Sequence, residues 1–148
     1  MKLTQLLGTL LCAALFSGAD AAEPASDLTL TPIRISPQVW YFRGESGMAS
    51  TANRGYMSNA GFVVTKSEVV VFDALGTPAL GAAMIAAIRR ISPLPIRLVL
   101  ISHYHADHFY GLQAFKKIGA EIRAHGNARS YLASDLAQER LKQRRKDL

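Results

Sequence analysis

Three of the chain's four histidines and an aspartate crowd into seven residues, Ser102-His103-Tyr104-His105-Ala106-Asp107-His108, directly behind the apolar run Ile96–Ile101. An apolar run this short reads as a buried strand. The cluster then sits at that strand's carboxyl end, where layered α/β folds bind their ligands. Residues two apart at a strand end face the same way, with Cα atoms about 6–7 Å apart. Two imidazoles, His103 and His105, can therefore converge on one ion. Asp107 and His108 are adjacent and open the next helix, so they cannot both point where His103 and His105 point. They address a second ion, and two ions about 3.5–4 Å apart can share a hydroxide and clamp a scissile group. His103, His105, Asp107 and His108 are the candidate metal ligands, and Asp107 is also the candidate catalytic carboxylate, placed to orient the attacking oxygen.

The surrounding pattern supports a layered α/β fold. Gln38–Arg43 is aromatic and β-branched, a strand; Gly44–Asn59, with three glycines, three serines and two asparagines, is a loop flanking the site. Gly61–Thr65 and Glu68–Asp73 form a hairpin turned by Lys66-Ser67, and the second strand is apolar enough to be covered on both faces. Thr77-Pro78 caps a helix whose inward face is Leu80, Met84, Ala87, Ile88 and Ile91, stopped by Ser92-Pro93. Asp107–Ile118 reads as one helix with Phe109, Leu112, Phe115 and Ile118 inward, ended by Gly119. Ala120–Ala124 is a fifth strand, and Asn127–Leu148 is mostly helical. Alternating strands and helices point to α/β layering.

The amino terminus stands apart. Lys2, the apolar stretch Leu6–Phe16 and Ala19-Asp20-Ala21 have the layout of a secretory signal peptide cleaved after Ala21. The expected division is a leader over 1–21 and one domain over 22–148, exported to the periplasm or secreted. The apolar stretch is too short to span a bilayer, and bulky Leu11 before Cys12 argues against a lipid anchor, so no stable membrane anchor is expected. Cys12 is the sole cysteine, which excludes a disulfide framework and a thiolate zinc cage. Formal charge is +6. The basic run Gln138–Asp147 carries five Lys/Arg against two acids but few aromatics, so it reads as a solvated helix face rather than a nucleic-acid patch.

The His103-x-His105-x-Asp107-His108 pattern, with Asp73 ending the strand pair that Asn59-Ala60-Gly61-Phe62 begins, resembles the metallo-β-lactamase superfamily from about Leu30 to Ala124. The wording Ser-His-Tyr-His-Ala-Asp-His-Phe-Tyr-Gly-Leu-Gln, together with the leader, is similar to its periplasmic glyoxalase II-like and quinoprotein relay-type zinc hydrolases. The resemblance implies that His103 and His105 bind one zinc and Asp107 and His108 a second, with Asp73 bracing the histidine loop. It also implies an αββα sandwich, of which this chain supplies the first half.

The later ligands of that pattern, a third histidine, a bridging Asp or Cys and a final histidine, have no counterpart here. After His108 only His125 remains, a candidate of lesser weight. The expectation is a domain truncated at its carboxyl end, with one sheet face left without its partner layer. The implied function is a zinc-dependent hydrolase that turns a metal-held hydroxide on an ester, thioester or amide, a β-lactam included. Its partner would be a small-molecule substrate, with no nucleic acid. The alternatives are a non-haem iron (Fe2+) oxygenase of persulfides on the same fold, or a catalytically inactive metal-binding accessory protein.

Overall fold

The computed structural model describes residues 28–147; the leader expected over 1–21 lies outside them. Six strands form one mixed sheet in sequence order: β1 (Ile33–Ser36), β2 (Val39–Phe42), β3 (Ala60–Val64), β4 (Val69–Phe72), β5 (Ile96–Leu100) and β6 (Glu121–Arg123). The first four run antiparallel through hairpins, whereas β4, β5 and β6 are parallel. Parallel neighbours need crossovers, and helices supply both. Helix α1 (Pro78–Ile91) carries the chain from β4 to β5, while α2 (Ala106–Phe109) and α3 (Leu112–Lys117) carry it from β5 to β6. Helices α4 (Ala128–Leu132) and α5 (Asp135–Asp147) follow. This is the expected α/β fold. Among the described residues no helix is long and apolar enough to cross a membrane.

The core lies between one sheet face and α1 with α3. Registered residues Phe62, Val71 and Val99 are buried on that face, and Phe42 joins them one rung away. Leu80, Met84, Ala87 and Ile88 of α1 pack onto them, with Phe115 of α3. The helix start is as expected: Thr77 Oγ1 accepts the Leu80 amide at 3.1 Å. Ile91, at the far end of the expected stripe, is 38% exposed.

The structure adds one strand, breaks one helix and leaves one sheet face open. Strand β1 carries no signal in the sequence, since Pro32 and Pro37 bracket four residues; it is an edge strand, where flanking prolines cost no ladder bonds. The helix expected over Asp107–Ile118 is broken at Tyr110-Gly111. The Gly111 amide donates to Leu75 O at 3.0 Å, and His108 O accepts the Ala74 amide at 2.7 Å. The loop between β4 and α1 thus takes two bonds that a continuous helix would have used. Finally, β4 is covered on one face only. Val69 and Val71 are fully buried but Phe72 is 45% exposed, on the face that it shares with Leu100 and half-buried Gly61.

Candidate metal centre

Asp73 follows β4 and Ser102 follows β5, so the parallel pairing sets them side by side at the carboxyl edge of the sheet. The Asp73 amide donates to Leu100 O (2.9 Å), continuing the ladder one residue past the strand. The chain then turns sharply, with Asp73 at φ 62° and Leu75 at φ 65°. Left-handed backbone at non-glycine residues costs free energy and persists where the surroundings enforce it, commonly at functional sites. Here the enforcing contacts are the bonds from Gly111 and to His108.

The Asp73 carboxylate, 8% exposed as a residue, organises the histidines. Its Oδ1 accepts the Ser102 amide (2.8 Å), and its Oδ2 accepts the Ser102 hydroxyl (2.7 Å) and His108 Nδ1 (2.8 Å). A carboxylate has no proton to give, so His108 donates from Nδ1 to Asp73, and it is the neutral ring that would present Nε2 to a metal. The Ser102 hydroxyl spends its proton on Asp73 and so accepts from His103 Nδ1 at 2.9 Å. In the neutral ring that leaves the lone pair on His103 Nε2 as well. One carboxylate fixes two tautomers.

The ligand atoms come in pairs. With its own proton on Nδ1, His103 Nε2 accepts a hydrogen bond from His105 Nδ1 at 3.0 Å, a bond that a shared ion would replace. Two nitrogens each about 2.0–2.1 Å from one tetrahedral ion would stand about 3.3 Å apart, so the pair is close to ligand spacing. His108 Nε2 lies 3.4 Å from Asp107 Oδ2. With the His108 proton on Nδ1, that second contact sets a lone pair against a carboxylate oxygen, an arrangement a cation stabilises. The His103 and His108 rings are 4.1 Å apart between centroids, so the two pairs adjoin. The His103 imidazole is held below its ordinary pKa, first by desolvation and then by His108 and His105, against the opposing pull of Asp73 and Asp107. A lowered pKa keeps the ring neutral near pH 7, the state that binds metal.

The four expected ligands are thus brought together as two pairs. Among the described residues no set of three or more His, Cys, Asp or Glu side chains is arranged to hold an ion. His125, the lesser candidate, follows β6 and accepts the Asn127 amide on Nδ1 (3.2 Å). Among the described residues it makes no hydrogen bond or ring contact with the other histidines. Ser102 is a site residue the sequence did not single out; its only signal was its place between the strand and His103. Ser58, in the loop Gly44–Asn59, donates its hydroxyl to Asp107 O and pins that loop to the ligand turn.

The sequence pattern of the metallo-beta-lactamase superfamily matches residues 53–148, well over half the chain. The chain belongs to the metallo-beta-lactamase superfamily. Its structure is similar to that of a metallo-beta-lactamase from Pontibacter korlensis, with a TM-score of 0.61 and 18% identity over 72% of this chain and 48% of that one. At that identity the likeness speaks for the fold alone. Curated relatives named Ribonuclease Z, from Pyrococcus horikoshii and Pyrococcus abyssi, are 38% and 36% identical over 73 residues, 49% of this chain. The chain spans about a fifth (22%) of the length of those relatives. For this superfamily member, the matched span includes the Asp73 turn and the histidine loop but not β1 or β2.

Proposed function

We propose that the chain supplies the first ligands of a metal-dependent hydrolase acting on an ester, thioester or amide carbonyl. The observation that carries this is the Asp73–Ser102 network, which engages His103 and His108 through Nδ1 and sets their Nε2 atoms toward His105 and Asp107. The donor set of three imidazoles and a carboxylate suits zinc, with Fe2+ the alternative. His103 and His105 would hold one ion, Asp107 and His108 the second. A divalent ion there supplies a Lewis acid and brings the pKa of water toward neutrality. The chain's own part is to hold the ligand atoms in place before the ion arrives. Asp73 and Ser102 orient the rings, and Asp107, whose backbone is pinned by Ser58, is positioned to take a proton from the attacking water on its carboxylate.

A second reading, phosphodiester hydrolysis in a nucleic acid, is favoured by two observations. The Pyrococcus relatives are named Ribonuclease Z. The basic helix α5 also sets Arg140 5.3 Å from the Tyr104 ring, inside the ligand motif. The aromatics that seemed missing from the basic run come from elsewhere in the chain, which weakens the sequence-based case against nucleic acid.

The test uses the protein as its gene encodes it, supplied with zinc or iron and assayed on a thioester, a β-lactam and a phosphodiester. Turnover of a carbonyl substrate, lost in the His103→Ala/His105→Ala variant, supports the first reading. Phosphodiester turnover with none at a carbonyl replaces it with the second. Metal binding without turnover on any of the three supports the inactive accessory protein.

A further inference from the structure

Beside the ligand loop lies a cavity of about 490 Å3, walled by Ile101, Leu112, Ile122, Ala128 and Leu132, with His103 at its edge. It sits between β6, α3 and α4. It is an open cleft, since none of the residues that line it is fully buried. Of the polar residues that line it, Ser102, Tyr104, His125 and Asn127 are exposed and form its rim, while Tyr131 is half-buried, as are Ile101, Leu112, Ile122 and Ala128. Small-ligand sites have this composition, apolar walls with a few polar groups at one end, and volumes in this range.

We propose that this cavity is a binding subsite for a hydrocarbon group of the substrate, an acyl chain or aryl ring attached to the scissile carbonyl. The proposal rests on the hydrolase reading above. His103 is shared: its Nε2 faces His105, and its ring forms part of the cavity edge. A group seated in the cavity is therefore covalently close to whatever bond reaches the ligand pairs. The apolar walls Ile101, Leu112, Ile122 and Ala128 favour a hydrocarbon group, which gains by leaving water there. An apolar cavity of about 150 Å3 holds a benzene molecule. The larger space here suits an aryl ring with its linking atoms, or a straight chain of roughly eight carbons on the same volume scale.

The decisive experiment separates binding from turnover. Methyl-labelled protein is titrated with the n-alcohols from butanol to octanol, and shifts are followed at Ile122, Ala128 and Leu132. The expected result is affinity rising about fourfold per methylene, the gain typical of burying one such group. Leu132→Trp, at a half-exposed position on the edge, should remove that gain while leaving the fold intact. Ala128→Met, a smaller intrusion, guards against a variant that does not fold. Shifts at Val70, Leu98 and Leu100 on the open sheet face instead, affinity independent of chain length, or tighter binding of a 5′-mononucleotide at the Ile122, Ala128 and Leu132 methyls would each overturn the proposal. A second arm assays the protein as its gene encodes it on acetyl and octanoyl thioesters. Leu132→Trp should raise the ratio of the octanoyl KM to the acetyl KM tenfold or more. Chain-length-dependent binding without turnover keeps the subsite and removes the hydrolase reading. Turnover of both esters with no effect of Leu132→Trp keeps the hydrolase and removes the subsite.

Discussion

Ser102 gives both its backbone amide and its hydroxyl to Asp73, at 2.8 and 2.7 Å. Through those two hydrogen bonds the end of β5 is tied to the end of β4, and the ligand loop between β5 and α2 starts from a fixed point. The histidine motif is therefore not a free turn that an ion must gather.

Removing the charge of Asp73 should loosen both ligand pairs together. Asn tolerates the left-handed backbone found at this position, so Asp73→Asn tests the carboxylate without adding strain. Hydrogen-bond partners of metal ligands typically contribute 10- to 100-fold in affinity, and a loss of about that size is expected in chelator competition. Ser102→Ala keeps the backbone bond and should lose less. An unchanged zinc affinity in Asp73→Asn would remove the network from the account of the site.

Mutation of the ligands should divide by pair. His103→Ala/His105→Ala should abolish zinc retention at one site, and Asp107→Asn should mainly weaken the other. Because each pair brings two protein donors, where catalytic zinc usually has three, zinc bound to residues 22–148 alone should be weak. Elemental analysis after gel filtration measures both effects; equal zinc in wild type and the double variant refutes the assignment.

Gly111→Ala should destabilise the fold by about 2–3 kcal/mol, at the upper end of what overpacking costs. A Cβ there would meet Ala74 O at 1.9 Å, although φ of −72° suits any residue. The effect is therefore steric, and it falls on the turn that carries Asp73. Gly126→Ala, where a Cβ meets nothing within 4 Å, is the matched control and should change stability by a few tenths of a kcal/mol. Urea unfolding monitored at Trp40 compares the two.

The leader reading predicts export and cleavage after Ala21. Intact mass of protein recovered from the periplasm should correspond to a chain beginning at Ala22. Cytoplasmic protein that retains Met1 would contradict it.

What could be read from the sequence was whatever local chemistry dictates. The hairpin around Lys66-Ser67, the Thr77-Pro78 helix start and the Gly119 helix end each depend on a few neighbouring residues, and each stands where the pattern put it. The Gly119 and Ala120 amides close the end of α3 on Lys116 and Phe115, as a left-handed glycine after a helix allows. The ligand motif was legible for the same reason, since its four donors lie within six residues. The rest needed partners distant in the chain. Periodicity ran a single helix through Tyr110-Gly111 because it cannot see Leu75 O and the Ala74 amide, which take the helix's bonds across more than thirty residues. Apolar β4 looked covered on both faces because sequence records hydrophobicity, not which layer is present to meet it. Which ring nitrogens of His103 and His108 face the ligand pairs was decided by tertiary structure alone: it depends on Asp73, brought beside Ser102 when β4 and β5 pair in parallel, and on a carboxylate having no proton to give.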